Sequence, residues 1–506
     1  MAHFRESQPV IVHCDTEYVR GSLGVGELFS RPTTTLKACY AIPRASSSKA
    51  AETDGDVSMD AGEPISAPEG SSRHGWLVGE ELETALREDG WEEKYDAKWP
   101  FRPSKDNQDW EGREFILSHF YSLLGLKLAN NSSPLLFIPP PTPPTLPLST
   151  QALYTQLAFE GLNVPIFSIL PSPLASLFAL GATTGIIIHI GRHESSISVV
   201  TESVVRWECS TTAPVGEAVC EDWFERLLLQ DEALAKELKT ATGKDALEDE
   251  EKRKLVKEIA SVVWNECTGD DIEVPAAKVG SGAVVISTLG AEKEDDAFDV
   301  AKKLVGDNAP PPAAHSHKSK KQQAQAQAAA AKSAADAAAA DTIVINIPSL
   351  PGKDISLGPV RHRLCDPLLF GKTPGGDTVW EAVGRAIENA SLSVNERLGL
   401  WEGVGVVGEL ARIKSFAPAL VTYLSPYLLS SADLPSDCQP SKIRLLSIPD
   451  YFGNYKNATT ELAPFLGGSL ASKVAFTDLT GRHCITKVDY NAKGPAAIYT
   501  LTNEDR

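Results

Sequence analysis

Residues 186–190 set the tightest limit on what this chain can fold into. Ile186, Ile187, Ile188 and Ile190 form a nearly continuous apolar run, broken only by His189 and closed by Gly191. Such a run has no polar face to turn to water, so it predicts a strand buried on both sides. Residues 195–200 read as its hairpin partner. Upstream, residues 149–160 and 174–180 carry helical signals, separated by the turn Asn163-Val164-Pro165. Strands that need cover on both faces, alternating with helices that can provide it, predict an α/β protein.

Size and charge narrow the class. A chain of 506 residues buries a large core and divides into more than one domain. Its net charge of −19 repels phosphate over any broad face, which argues against gripping DNA or an anionic membrane. The cysteines, Cys14, Cys39, Cys209, Cys220, Cys267, Cys365, Cys438 and Cys484, include no CxxC pair. Their spacing suits neither zinc nor a disulfide framework, and points to a reducing compartment, the cytosol or nucleus. The start, MAHFRESQPV, lacks the layout of a signal peptide, and no apolar run is long enough to cross a membrane.

Along the chain, residues 9–13 predict a strand, residues 110–128 a helix and residues 135–138 a short buried strand. Pro139 to Pro147 is a proline cluster that reads as a stiff loop, with a polyproline II ligand as the alternative. Helices are expected over 217–230, 247–265 and 416–429, with one face shared by Val379, Val383 and Ile387. Strands are expected over 342–347, 404–407 (ending at Gly408) and 442–448. Residues 464–476 read as a Gly-Gly turn leading into a helix. Residues 45–72 and 291–341 have little to bury and are expected to be disordered insertions. His315 and His317 lie in the second, with no carboxylate or thiol close by, and read as solvated filler rather than a metal site.

The order of these pieces resembles the actin-related protein family. Phe159-Glu160 with Asn163-Val164-Pro165 is similar to the actin element MFETFNVP. Leu177-Phe178-Ala179 with Gly181, then Thr183-Thr184-Gly185 and an apolar strand, resembles LYASG followed by TTGIVLD. Near the C-terminus, residues 465–472 are similar to WIGGSILAS, residues 485–495 to ISKQEYDESGP, and residues 442–449 to the KIKIIAPP strand. The resemblance implies the fold shared by actin, sugar kinases and heat-shock chaperone ATPases, with two α/β lobes around a central cleft. It places the first lobe in residues 1–180 with 460–506 and the second in 181–459.

That cleft makes physical demands. Turns that cradle phosphate need glycine so that backbone amides can approach, carboxylates must hold the metal, and a polar side chain must position water. Aligned to the family's DNGSG turn, the first hairpin puts His13, Cys14, Asp15, Thr16 and Glu17 on the turn, with acids where the glycines belong. At an effective dielectric of about 20, like charges ~4 Å apart cost on the order of 4 kcal/mol. Two such contacts offset most of the ~8 kcal/mol of a micromolar affinity. Against DSGDG, the second hairpin reads His189, Ile190, Gly191, Arg192, His193. The water-positioning glutamine falls on Ser172 and its assisting histidine on Ser196. The GG turn near the base is Gly408-Glu409, and Gly216 remains. Two readings stay open: a cleft filled by its own side chains, with Asp15 or Glu17 paired to Arg192, or a new phosphate site built from His189, Arg192 and His193.

The eroded cleft resembles the nuclear members of the family in chromatin-remodelling complexes, specifically the fungal actin-related protein 9 class. The resemblance implies a non-enzyme without nucleotide, cofactor or metal. It implies a nuclear subunit of a SWI/SNF- or RSC-type remodeller. Such a subunit pairs with a second actin-related protein and binds the helical HSA segment of the motor ATPase. It makes no sequence-specific contact with nucleic acid and none with membrane. Phe178, Leu470, Val474 and Phe476 would line the notch that takes the helix, with ordinary core as the alternative. The alternative functions are a nucleotide-binding ATPase of the same fold and a cytoskeletal filament-end binder.

Overall fold

The computed structural model describes residues 8–26, 29–44, 73, 75–88, 90–103, 109–141, 145–243, 248–267, 271–277, 286–288, 341–371, 376–428, 439–440, 442–455, 460–477 and 481–503. The expected insertion 45–72, nearly all of 291–341 with His315 and His317, and Cys438 lie outside these residues. The chain forms two compact units, residues 1–179 with 462–506 and residues 180–461.

The first unit is built on a sheet whose strand order is Ile485–Thr486, Ile166–Ile169, Leu135–Ile138, Val10–Cys14, Tyr18–Leu23 and Thr34–Lys37. Val10–Cys14 runs parallel to Leu135–Ile138 and antiparallel to Tyr18–Leu23. Strand alternation sorts the side chains between two cores. Val10, Val12, Cys14, Leu135 and Phe137 face one cluster, with Ile116, Leu117 and Phe120 of the helix Trp110–Leu123. Ile11, Leu136 and Ile138 face another, with Ala175 and Phe465. The second cluster is closed by the helices Ser172–Ala179 and Ala463–Thr477.

The second unit repeats the plan. Its sheet runs Val204–Ala213, Ser195–Thr201, Gly185–Ile190, Val404–Gly408, Ile443–Leu445 and Ile286–Thr288. Gly185–Ile190 is buried along its whole length, antiparallel to Ser195–Thr201 and parallel to Val404–Gly408. Ile186, Ile188 and Ile190 join the large core, which includes Phe224 of the helix Glu217–Gln230 and Ile259 of the helix Asp249–Glu266.

One sequence expectation is corrected and two elements are added. Gly467 and Gly468 do not form a turn; both lie inside the helix Ala463–Thr477. A Cβ at Gly467 would overlap the carbonyl oxygen of Ala175, and one at Gly468 the Ile138 side chain, so the glycines let the helix touch its neighbours. Residues 204–213, assigned no element from the sequence, form a ten-residue strand with a register shift between Arg206 and Thr211. Glu232–Thr242, also unanticipated, is a helix capped by Asp231, whose side chain accepts from the Ala233 and Leu234 amides, and ended by left-handed Gly243.

Paired substitutions test the glycine argument. Gly467→Ala is expected to lower stability by roughly 1–3 kcal/mol, because the backbone it meets cannot yield as a side chain would. Gly399→Ala, in the helix Val394–Trp401 with open space at its Cβ, is expected to raise stability by up to about 1 kcal/mol. Both are read from urea denaturation midpoints at unchanged slope.

Candidate functional site

The turn between Val10–Cys14 and Tyr18–Leu23 contains only Asp15, Thr16 and Glu17. His13 and Cys14, expected on this turn, stay in the strand, paired with Arg20 and Val19. Burial explains the shift: His13 and Cys14 are both buried, and Cys14 packs with Val10, Val12 and Val19. Burial also pushes the Cys14 thiol well above its ordinary pKa, so it is a packing group and not a nucleophile. The turn closes through the Asp15 amide, which donates to the Tyr18 carbonyl at 2.7 Å, while the Asp15 side chain accepts from the Thr16 amide at 2.7 Å.

Glu17 is held from both oxygens. Arg102 donates through Nε at 2.9 Å and Nη2 at 2.8 Å, and its guanidinium lies 3.9 Å from the Trp99 ring centre. A bidentate pair backed by an aromatic face fixes the Glu17 carboxylate on this turn. Ser172 is elsewhere in the same unit, buried at the start of the helix Ser172–Ala179, where its carbonyl accepts from the Ser176 hydroxyl.

In the second unit the corresponding hairpin turns at residues 191–194. His189 and Ile190, expected on that turn, are the last residues of the strand, opposite Ser196 and Ser195. His189 and Ser196 are both buried. The Gly191 amide donates to the Glu194 carbonyl at 3.1 Å. The helix Glu217–Gln230 begins directly against this turn. Its Glu217 amide donates to the Gly191 carbonyl at 3.0 Å and its Ala218 amide to the Arg192 carbonyl at 2.8 Å. These are amides that a helix start would otherwise offer to an anion.

Gly216 permits that contact. A Cβ there would overlap the Gly191 carbonyl and stand 2.8 Å from the Glu194 nitrogen. Arg192 pairs through Nη1 with Glu221 of the same helix. Burial raises the Glu194 carboxyl above its ordinary pKa. At the neighbouring strand end, Gly408 pairs with Ile190 and has φ 122°; a Cβ would overlap the Ile190 carbonyl. Glu409 turns to Arg412, whose Nη1 donates to it at 2.8 Å.

The structure therefore gathers His189, Gly191, Arg192, Ser196, Gly216, Gly408 and Glu409 at one end of the second sheet, and His13, Asp15 and Glu17 at the hairpin of the first. From the sequence, Asp15 or Glu17 is expected to pair with Arg192; within the units, Glu17 pairs with Arg102 and Arg192 with Glu221. Glu221 has a sequence signal, since it stands one turn after Glu217 on a helix that meets the hairpin. Arg102, at 85 residues from Glu17, has none.

The remaining candidates lie on the helix pair of the first unit. Leu470 and Val474 stand one turn apart on Ala463–Thr477, with Val474 61% exposed. Phe178, on Ser172–Ala179, is half-buried. Phe476 packs against the cluster of Ile11, Leu136 and Phe465. Among the described residues, no group of three or more His, Cys, Asp or Glu is placed to hold a metal, and no helix is long and apolar enough to cross a membrane.

Comparison with known proteins agrees with the architecture. The Actin family model matches residues 31–263. The "SWI/SNF and RSC complexes subunit arp9" of Schizosaccharomyces pombe is 27% identical over 422 residues, covering 78% of this chain and 77% of that protein. "Actin-related protein 7" of Saccharomyces cerevisiae is 26% identical over 163 residues, 32% of this chain and 31% of that protein.

Two outcomes test the second hairpin. Arg192→Glu sets two acids together and is expected to cost roughly 1–2 kcal/mol, with partial recovery when Glu221→Arg is added. Glu194 has a folded pKa above its unfolded one, so its contribution is present at low pH and lost as pH rises through the folded value. Glu194→Gln is therefore expected to raise the melting temperature at neutral pH, with the gain vanishing below about pH 4.

Proposed function

We propose that this chain, an actin-related protein, is a non-catalytic nuclear subunit of a SWI/SNF- or RSC-type chromatin-remodelling complex. In this reading it pairs with a second actin-related protein and clasps the helical HSA segment of the motor ATPase. The observation that carries the non-catalytic part is the Glu17–Arg102 clamp. It holds a carboxylate at the turn that would have to present amides to a triphosphate.

The second hairpin supports the same reading. The carbonyls of Gly191 and Arg192 already accept from the helix Glu217–Gln230. The rival reading, a nucleotide-binding ATPase, rests on His189, Arg192 and His193 as phosphate ligands, and Glu221 already pairs with the Arg192 guanidinium. The similarity to the fission yeast subunit over most of the chain supports the remodelling role. For the helix, the surface with Leu470 and Val474 offers the apolar spacing that helix-in-groove recognition uses.

Thermal unfolding with two ligands tests this. Magnesium-ATP at millimolar concentration is expected to leave the melting temperature unchanged. A peptide of the motor's HSA helix, at about a hundred times its Kd and with the second actin-related protein present, is expected to stabilise by about 2.7 kcal/mol. Val474→Glu is expected to reduce that shift. A clear rise with magnesium-ATP alone defeats the proposal.

A further inference from the structure

The first unit carries a groove that the proposed function does not use. It has a volume of about 420 Å³ and opens between the helix Trp110–Leu123 and the run formed by the helix Leu148–Gln156 and the π-turn Leu157–Gly161. Leu153, 37% exposed, and Leu157 stand one turn apart as an apolar wall, and Trp110 lines the groove with them. Such a wall suits an aliphatic stem.

At its rim is an anion that has been oriented without being neutralised. Glu160, on the π-turn, accepts from the Tyr490 hydroxyl at 2.6 Å and from Gln156 Nε2 at 2.9 Å. These bonds, the tyrosine's first, hold its carboxyl below the usual range. Both donors are neutral, and among the described residues no cationic side chain pairs with Glu160. From the facing helix, Glu111 and Glu114 also reach the groove. They already grip one guanidinium, that of Arg73, at 3.4 and 3.0 Å. Gly161 keeps this geometry open, because a Cβ there would press to 3.0 Å from Glu114 Cγ.

We infer that this groove is a docking site for a basic helical segment of a partner protein, which inserts an arginine or lysine with its stem along Leu153 and Leu157 and its charge on Glu160. Charge complementarity selects that occupant: the Glu160 carboxylate, held by neutral donors alone, gives the rim a negative charge, and the apolar wall rewards a long side chain over a bare metal ion. The chain's net charge of −19 favours approach of a basic segment from solution. The inference is independent of the surface around Leu470 and Val474.

Fluorescence anisotropy of the full chain with a labelled helical peptide tests it. The peptide is about 20 residues long, with leucines at helical spacing flanked by arginines, and a scrambled peptide of equal charge measures non-specific attraction. The wild-type chain is expected to prefer the patterned peptide. Glu160→Gln, which keeps an acceptor for Tyr490, is expected to weaken it roughly fivefold to tenfold. Leu153→Arg, at an exposed position, is expected to block it, with the melting temperature of each variant confirming a folded chain. Val474→Glu is expected to leave it unchanged, so failure here and failure of the proposed function are distinguishable. Equal affinity for both peptides, or wild-type binding by both Glu160→Gln and Leu153→Arg, overturns the inference.

Discussion

Burial of a central strand pair on both faces is the constraint from which the rest of each unit follows. Val10–Cys14 with Leu135–Ile138, and Gly185–Ile190 with Val404–Gly408, have no solvent-facing side. Every residue on them therefore demands apolar cover above and below, and each fully buried branched side chain contributes on the order of 1.5–3 kcal/mol when that cover is present. The helices are placed by this demand. The glycines at 467 and 468 then set how near one of them comes, because only a bare Cα lets it rest on Ala175 and Ile138.

The hairpins grow from the ends of these strands, so their turns are positioned by the core and their chemistry is left to side chains. In both, charge is answered from within the same unit. Glu17 meets Arg102 on the face of Trp99, and Arg192 meets Glu221. The Gly216 contact adds a backbone version of the same closure, with helix amides bonded to the turn's carbonyls. The charged side chains at each turn thus also hold it in place.

The fold was legible wherever one local pattern determined burial. Ile186–Ile190 and Leu135–Ile138 announce themselves, since a polar face is missing from the sequence itself. Residues 204–213 did not, although Val205, Trp207, Cys209 and Ala213 alternate with Arg206, Glu208, Ser210 and Thr212; the register shift between Arg206 and Thr211 interrupts the burial that this alternation signals. The glycine pair at 467–468 misled for a different reason: locally it signals a turn, while its role is set by Ala175 and Ile138, far away in the sequence. At the candidate site, Glu221 could be anticipated from its place one turn after Glu217, but Arg102 could not. A bidentate arginine 85 residues distant leaves no trace in spacing.

Ion pairs and amide bonds that close the hairpins from within have a consequence for the living cell. In the proposed role, these turns fold without waiting for a small molecule, and their shape is indifferent to the adenylate pool. On the function proposed above, starvation or a burst of metabolism would alter the motor's fuel while this subunit's grip keeps one geometry. Its part in the machine is a fixed bearing rather than a gauge.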